Sequence, residues 1–336
     1  MNDAEIVFYL AEDAAVFAGL PQSIEDYWAW QCSAAAISPY WGRYHWVLQT
    51  HLYLKAHGYS SRLTREIPER GIIVSHVDCL PYGFRPNAKQ FLVVMLVDRE
   101  VPHPHGHVHI VHNPVQLLPL RLAHSYMPPW PQIGLIAREP ARRACFRTVS
   151  YFGYPNNLHP RLCDAEFQGR LAELGLHLHV PGPSRWHDFA DTDVVLAVRT
   201  LGRQLAHLNK PSLKLFNAWA ARAPAVLGYE TAYRSEGHPG QGYLEATNPG
   251  EVIDRLSELK ASVALRDQIV EFGTKTVAQF APAVTVGRWV EFFEKVARPG
   301  LSQWRQQGAM GRLGHRASGA VRERLLWRRP GWFKEG

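Results

Sequence analysis

At 336 residues, 46% of them hydrophobic and 20% charged, the chain has an ordinary globular balance and more length than one core usually organises, so two domains are expected. The opening MNDAEIVFYL has no basic region leading into a long apolar run, and no apolar stretch reaches the roughly 18–20 residues of a membrane span, which excludes a visible secretory signal or spanning helix. A formal net charge of +7 points to anionic partners: nucleotide phosphates, acidic lipids or nucleic acid.

Along the chain, residues 6–10 (IVFYL) read as a strand and residues 46–58 (WVLQTHLYLKAHG) as a helix closed by glycine. Residues 71–75, 91–97 and 108–111 are further strands, the last stopped at Asn113-Pro114. These are continuous apolar runs rather than alternating ones, as in a parallel sheet covered on both faces. Pro128-Pro129-Trp130-Pro131 breaks the pattern and marks a domain boundary. Strands at 148–153, 176–180 and 193–198 and a helix at 161–174 then restart an α/β order. Helices at 251–259, 266–280 and 286–296 close it, the last with Trp289, Phe292 and Phe293 on one face. The expected fold class is α/β: two Rossmann-like doubly wound parallel-sheet domains, 1–130 and 131–299, facing a cleft, followed by a tail at 300–336. Cys32, Cys79, Cys145 and Cys163 form no CxxC pair and fit a reducing cytoplasm better than a disulfide framework.

Residues 210–228, KPSLKLFNAWAARAPAVLG, carry the clearest chemical signal. Pro211 suits a first helical turn, and Leu215, Phe216, Trp219 and Ala223 recur at helical spacing as one inward face. Pro224 ends the helix, and Ala225-Val226-Leu227 reads as a buried strand. Lys210, Ser212 and Lys214 would then stand at a helix mouth, where free N–H groups and the positive dipole end favour a phosphate. Asn217 reads as an amide on the helix surface. Arg199, emerging from the strand at 193–198, has a planar fork suited to a diphosphate.

This stretch, continued by Gly228-Tyr229-Glu230, resembles the donor-binding region of glycosyltransferases with the GT-B fold. The resemblance covers about residues 148–299, including TVAQF and the Trp289–Phe293 helix. It implies a transferase of glycan biosynthesis that binds a nucleoside-diphosphate sugar as co-substrate, with no other cofactor and no metal. Gly153 resembles the glycine turn that lets backbone approach the donor, while Arg199, Lys210, Ser212, Lys214, Glu230, Tyr233 and Glu245 would contact it. Retaining members carry a glutamate pair at fixed spacing. Counted from Glu230 the partner falls on His238, and from Glu236 on Leu244; Glu245 misses by one residue. Inverting and retaining outcomes therefore both stay open.

An inverting transfer needs a base for the acceptor hydroxyl, expected at a strand end of the first domain. His76, with Asp78 orienting it or acting itself, is the first choice and Asp98 the rival. His103, His105, His107, His109 and His112 crowd one segment, but without cysteine or close carboxylates they read as satisfied or cleft-lining histidines rather than a metal site. Asp191-Thr192-Asp193 has the letters of a metal-binding dyad but precedes a strand. Residues 307–336 interleave arginines with Leu325, Leu326, Trp327, Trp332 and Phe333, as in a basic amphipathic segment on an anionic membrane surface or a loose tail. The expected compartment is the cytoplasm, with peripheral contact at the inner membrane face as an option. The acceptor would be a glycan, lipid-linked or small-molecule hydroxyl. A two-domain nucleotide-sugar epimerase and a non-catalytic sugar-nucleotide-binding module are the rival readings. Nucleic acid ranks low, because basic and stacking residues combine only in the tail.

Overall fold

A computed structural model describes residues 5–33 and 41–327. The chain forms two compact units: Met1–Trp130 with Asn209–Pro211 and Pro282–Gly336, and Pro131–Leu208 with Ser212–Ala281. Residues 282–299, expected with the second domain, thus pack with the first. The Trp304 indole donating to the Asn87 carbonyl at 2.9 Å is one contact that holds the returning chain there.

The first unit is built on six parallel strands: β1 (Ile6–Tyr9), β2 (Arg62–Thr64), β3 (Gly71–His76), β4 (Gln90–Met95), β5 (Val108–Val111) and β6 (His124–Tyr126). Their order in the sheet is β2-β1-β3-β4-β5-β6. The central strands are buried along their whole length, which is why they read as unbroken apolar runs. Around them lie α1 (Ala14–Ala18), α2 (Ile24–Cys32), α3 (Trp41–Arg43) and α4 (Gln49–Ala56), with a π-helical stretch Tyr44–Leu48 leading into α4.

The second unit holds a five-stranded parallel sheet in the order β11-β10-β9-β7-β8. Its strands are β7 (Thr148–Ser150), β8 (His177–His179), β9 (Val194–Ala197), β10 (Ala225–Leu227) and β11 (Leu244–Glu245). Helices α5 (Ala165–Glu173), α6 (Leu213–Ala220), α7 (Thr231–Gly237), α8 (Pro249–Ala261) and α9 (Val263–Val277) connect and cover them. Asn248 caps α8 by accepting from the Glu251 N–H at 2.9 Å. The last three helices, α10 (Pro282–Phe292), α11 (Arg298–Gln306) and α12 (Ala309–Trp327), return to the first unit. The tail is therefore helix over Ala309–Trp327, and residues 328–336 lie outside the described residues. No helix among the described residues is long and apolar enough to cross a membrane.

Asp193, one residue before β9, is fully buried and pins this second sheet. One oxygen accepts from the Arg147 and Thr148 N–H groups at 2.8 and 2.9 Å, and Arg142 reaches both oxygens at 3.0 and 2.8 Å. The carboxylate thereby locks the start of β7 to the start of β9. It cannot serve as half of a metal-binding dyad. Burial alone would push its pKa up; the Arg142 guanidinium and the two N–H groups outweigh that and hold it below 3.8.

The histidine-rich segment is core of the first unit. The His107 Nδ1 accepts from the Leu92 N–H at 2.8 Å while its ring stacks on Phe91 and His315. His109 contacts the His103 carbonyl through Nε2 at 3.1 Å. Among the described residues no cluster of histidine, cysteine or carboxylate groups could hold a metal. Burial pushes His107, His109 and His112 down to about 3 and His103 to about 4, so these rings are neutral.

Two outcomes follow for stability. Asp193→Asn should destabilise the second unit by about 3–5 kcal/mol in chemical denaturation, because it removes the buried charge on which Arg142 and Arg138 converge; a loss below about 1 kcal/mol would contradict this role. The same contribution is present above 3.8 and lost as pH falls through the folded value. The buried histidines act earlier: unfolded rings take up protons below 6.5, folded ones only near 3 to 4. Protection of β3–β5 amides from hydrogen exchange, corrected for intrinsic rate, should fall from pH 6.5 to 4.5 by at least about 1.4 kcal/mol per pH unit. A flat profile would contradict neutral burial.

Candidate functional site

In an open parallel sheet the connections run to opposite sides at one point in the strand order, which leaves a crevice beyond the carboxyl ends there. In the second unit that point lies between β7 and β9, which are paired in the sheet although β8 intervenes in the chain. Past β7 the backbone runs through Tyr151 and Phe152 to Gly153. A Cβ at 153 would stand 2.8 Å from both the Lys214 Nζ and the Tyr151 hydroxyl, so any side chain there would displace both groups. Lys214, in the first turn of α6, donates to the Phe152 carbonyl, and its Nζ lies 5.0 Å from the Tyr151 ring centroid. Gly153 and Lys214 are thus brought together.

They border a cavity of about 200 Å³, which Tyr154, Asn157, Trp186 and Asn217 also line. Tyr154 and Trp186 meet edge to face at 4.9 Å. Asn217 is buried, contrary to the surface position expected of it, and its Oδ1 has no hydrogen-bond partner among the described residues. The Ser212 hydroxyl at the α6 N-cap is likewise buried and has no hydrogen-bond partner among the described residues. Helix α6 begins at Leu213, so Pro211 precedes the cap rather than occupying the first turn. The inward face is otherwise as the spacing foretells, with Leu215, Phe216, Trp219 and Ala223 buried.

Arg199 emerges past β9 and donates to the Glu230 carboxylate, and both side chains are largely buried. Tyr233 is buried on α7 beside them. Burial, then the Glu230 charge, raises the Tyr233 hydroxyl, partly offset by Arg199. Tyr151 is pushed up to about 12, chiefly by burial, and senses the same pair. Arg199, Glu230 and Tyr233 therefore form one cluster, with Tyr151 between it and Lys214. Glu245 stands apart, its carboxylate held by Arg234 at 2.7 Å.

In the first unit the corresponding crevice lies between β1 and β3. Glu12, past β1, accepts from Arg43 and from the Tyr44 hydroxyl, both at 2.6 Å. His76 ends β3 with both ring nitrogens engaged. Its Nδ1 accepts from the Asp78 N–H at 3.2 Å, which leaves Nε2–H to donate to the Val97 carbonyl at 3.1 Å. Burial lowers its pKa, against the nearby Asp78 charge. No ring nitrogen remains to take a substrate proton, so the expectation that His76 is the base is replaced by a structural role. Asp78 is gripped by Arg99 at 2.7 Å. Asp98, beyond β4, adopts a left-handed backbone (φ 58°), uncommon for a non-glycine residue. Its carboxylate, 39% exposed, lies 3.0 Å from the Lys210 Nζ. Lys210 thus meets Asp98 within the first unit. Sequence reasoning missed Glu12, Arg43, Tyr151 and the burial of Asn217; Glu12 follows β1 directly and was open to the same strand-end argument as His76.

Neither a protein-family model nor a curated protein sequence matches the chain. Solved structures do. HepE of Anabaena in complex with UDP and glucose aligns over 87% of this chain and 100% of its own, with a TM-score of 0.52 at 11% identity. HepE with UDP alone gives 0.51 at 12% over the same shares. A glycosyltransferase from Rickettsia africae aligns over 88% of this chain and 99% of its own, at 0.49 and 7%. The two parallel sheets, their helices and the likeness to HepE give the chain the GT-B fold of glycosyltransferases.

Proposed function

We propose that the chain is a glycosyltransferase that moves a hexose or related sugar from a nucleoside-diphosphate sugar to an acceptor hydroxyl. The observation that carries this is the Gly153–Lys214 cavity, set at the carboxyl end of β7 where the strand order reverses. HepE, whose fold the chain shares, holds UDP in its solved structures. In this reading the diphosphate lies against the Lys214 ammonium and the start of α6, with the glycine backbone close beside it. Tyr154 and Trp186 offer faces to the base. Asn217 and Ser212 supply hydrogen-bonding groups that have no partner among the described residues. As the glycosidic bond breaks, charge grows on the departing diphosphate, and a cation already in place lowers the barrier without reorganisation. The Arg199–Glu230 pair is charge-matched and largely buried, and so contributes no net charge.

The acceptor proton goes to the Asp98 carboxylate, a strand-end carboxylate of the first unit that is 39% exposed and stands on a left-handed backbone. No cofactor besides the sugar nucleotide takes part in this proposal.

Calorimetry with UDP-sugars distinguishes the two lysines. Lys214→Ala should weaken binding about 10–100-fold, as for loss of a charge-assisted hydrogen bond, and Lys210→Ala by less than about three-fold. Equal effects would refute the assignment of the phosphates to Lys214. Asp98→Asn should cut kcat by about 100- to 10,000-fold with donor affinity unchanged; turnover within about tenfold of the parent would remove Asp98 as the base.

A further inference from the structure

We infer that the outward face of α12 is a docking surface for an anionic lipid bilayer, an interaction beyond the sugar-transfer reading and independent of it. At 1.5 Å per residue this helix is about 28 Å long. Its inward face is fixed at several points. His315 stacks on His107 with centroids 4.8 Å apart. Gly319 lies so close to His105 that a Cβ there would come within 2.1 Å of the ring. The Glu323 carboxylate meets Arg85 at 3.2 Å and His105 at 3.3 Å, and its backbone carbonyl accepts from the Tyr82 hydroxyl at 2.8 Å. Leu326 is buried.

With that face anchored, the opposite one cannot turn inward. It presents Met310, Leu313, Val321 and Leu325 in a helical stripe, exposed by 85%, 66%, 58% and 51%. Exposed Arg316 and Arg324 flank the stripe. Glu323 is the only acidic residue between positions 309 and 327, and it is spent on the inward contacts. The solvent face is therefore apolar and cationic with no carboxylate.

This charge selects the occupant. A second copy seated on the same face by two-fold symmetry would bring arginines against arginines. A convex helix with protruding apolar side chains suits a deformable surface, and its positive flanks match anionic headgroups. The helix would lie in the interface plane rather than span it.

Co-sedimentation of the full chain with phosphatidylglycerol–phosphatidylcholine vesicles, against phosphatidylcholine alone, tests this. The parent should bind the anionic vesicles, less so as salt rises, and bind neutral ones at least about tenfold more weakly. Leu313→Glu with Val321→Glu, and separately Arg316→Glu with Arg324→Glu, should each reduce binding at least about tenfold. Both pairs are exposed, so unchanged melting and UDP-sugar affinity confirm intact protein. Vesicle binding that is absent, indifferent to lipid charge or unaltered by the variants would overturn the inference. So would a parent dimer in light scattering that the leucine and valine changes convert to monomer.

Discussion

A fully buried carboxylate, Asp193, underlies the geometry of the second unit. Two backbone N–H groups and the Arg142 guanidinium converge on it, fixing the start of β7 against the start of β9. Short parallel strands have little register information of their own when every position is buried. Fixing one end with directional hydrogen bonds settles where the other end emerges. Gly153 and Arg199 leave the sheet from those opposite ends. The cavity is in this sense the far consequence of a carboxylate that never touches it.

The two units apply the same topological rule with different chemistry. Beyond β7 and β9 lie a lysine, amides, aromatic rings and a glycine approach, a set matched to a phosphorylated aromatic ligand. Beyond β1, β3 and β4 the side chains are mostly consumed in pairs: Glu12 with Arg43, Asp78 with Arg99, His76 with backbone. Asp98, itself paired with Lys210, differs in its left-handed backbone, and strain of that kind persists only where surrounding structure enforces it.

Much of the architecture was legible because burial on both faces writes itself as apolar runs. β3, β4, β5, β9 and β10 stand where such runs occur, and the inward face of α6 follows helical spacing. The edge strands β2, with Arg-Leu-Thr, and β6, with His-Ser-Tyr, were not legible. Their half-exposed side chains carry no apolar signal, and only hydrogen bonding to a neighbour makes them strands. Charge partners were also hidden. Whether Lys210 serves a phosphate or Asp98 depends on a contact across more than a hundred residues, as does the docking of α12 through Glu323. Local pattern gave the helix and its inward face but not the partners of Lys210 and Lys214.

The most direct measurement is a crystal structure of the protein with UDP. The account predicts the diphosphate within hydrogen-bond distance of the Lys214 Nζ and beside Gly153, with the base against Tyr154 or Trp186. A nucleotide seated elsewhere, or a Gly153–Lys214 cavity left empty at saturating UDP, would contradict it.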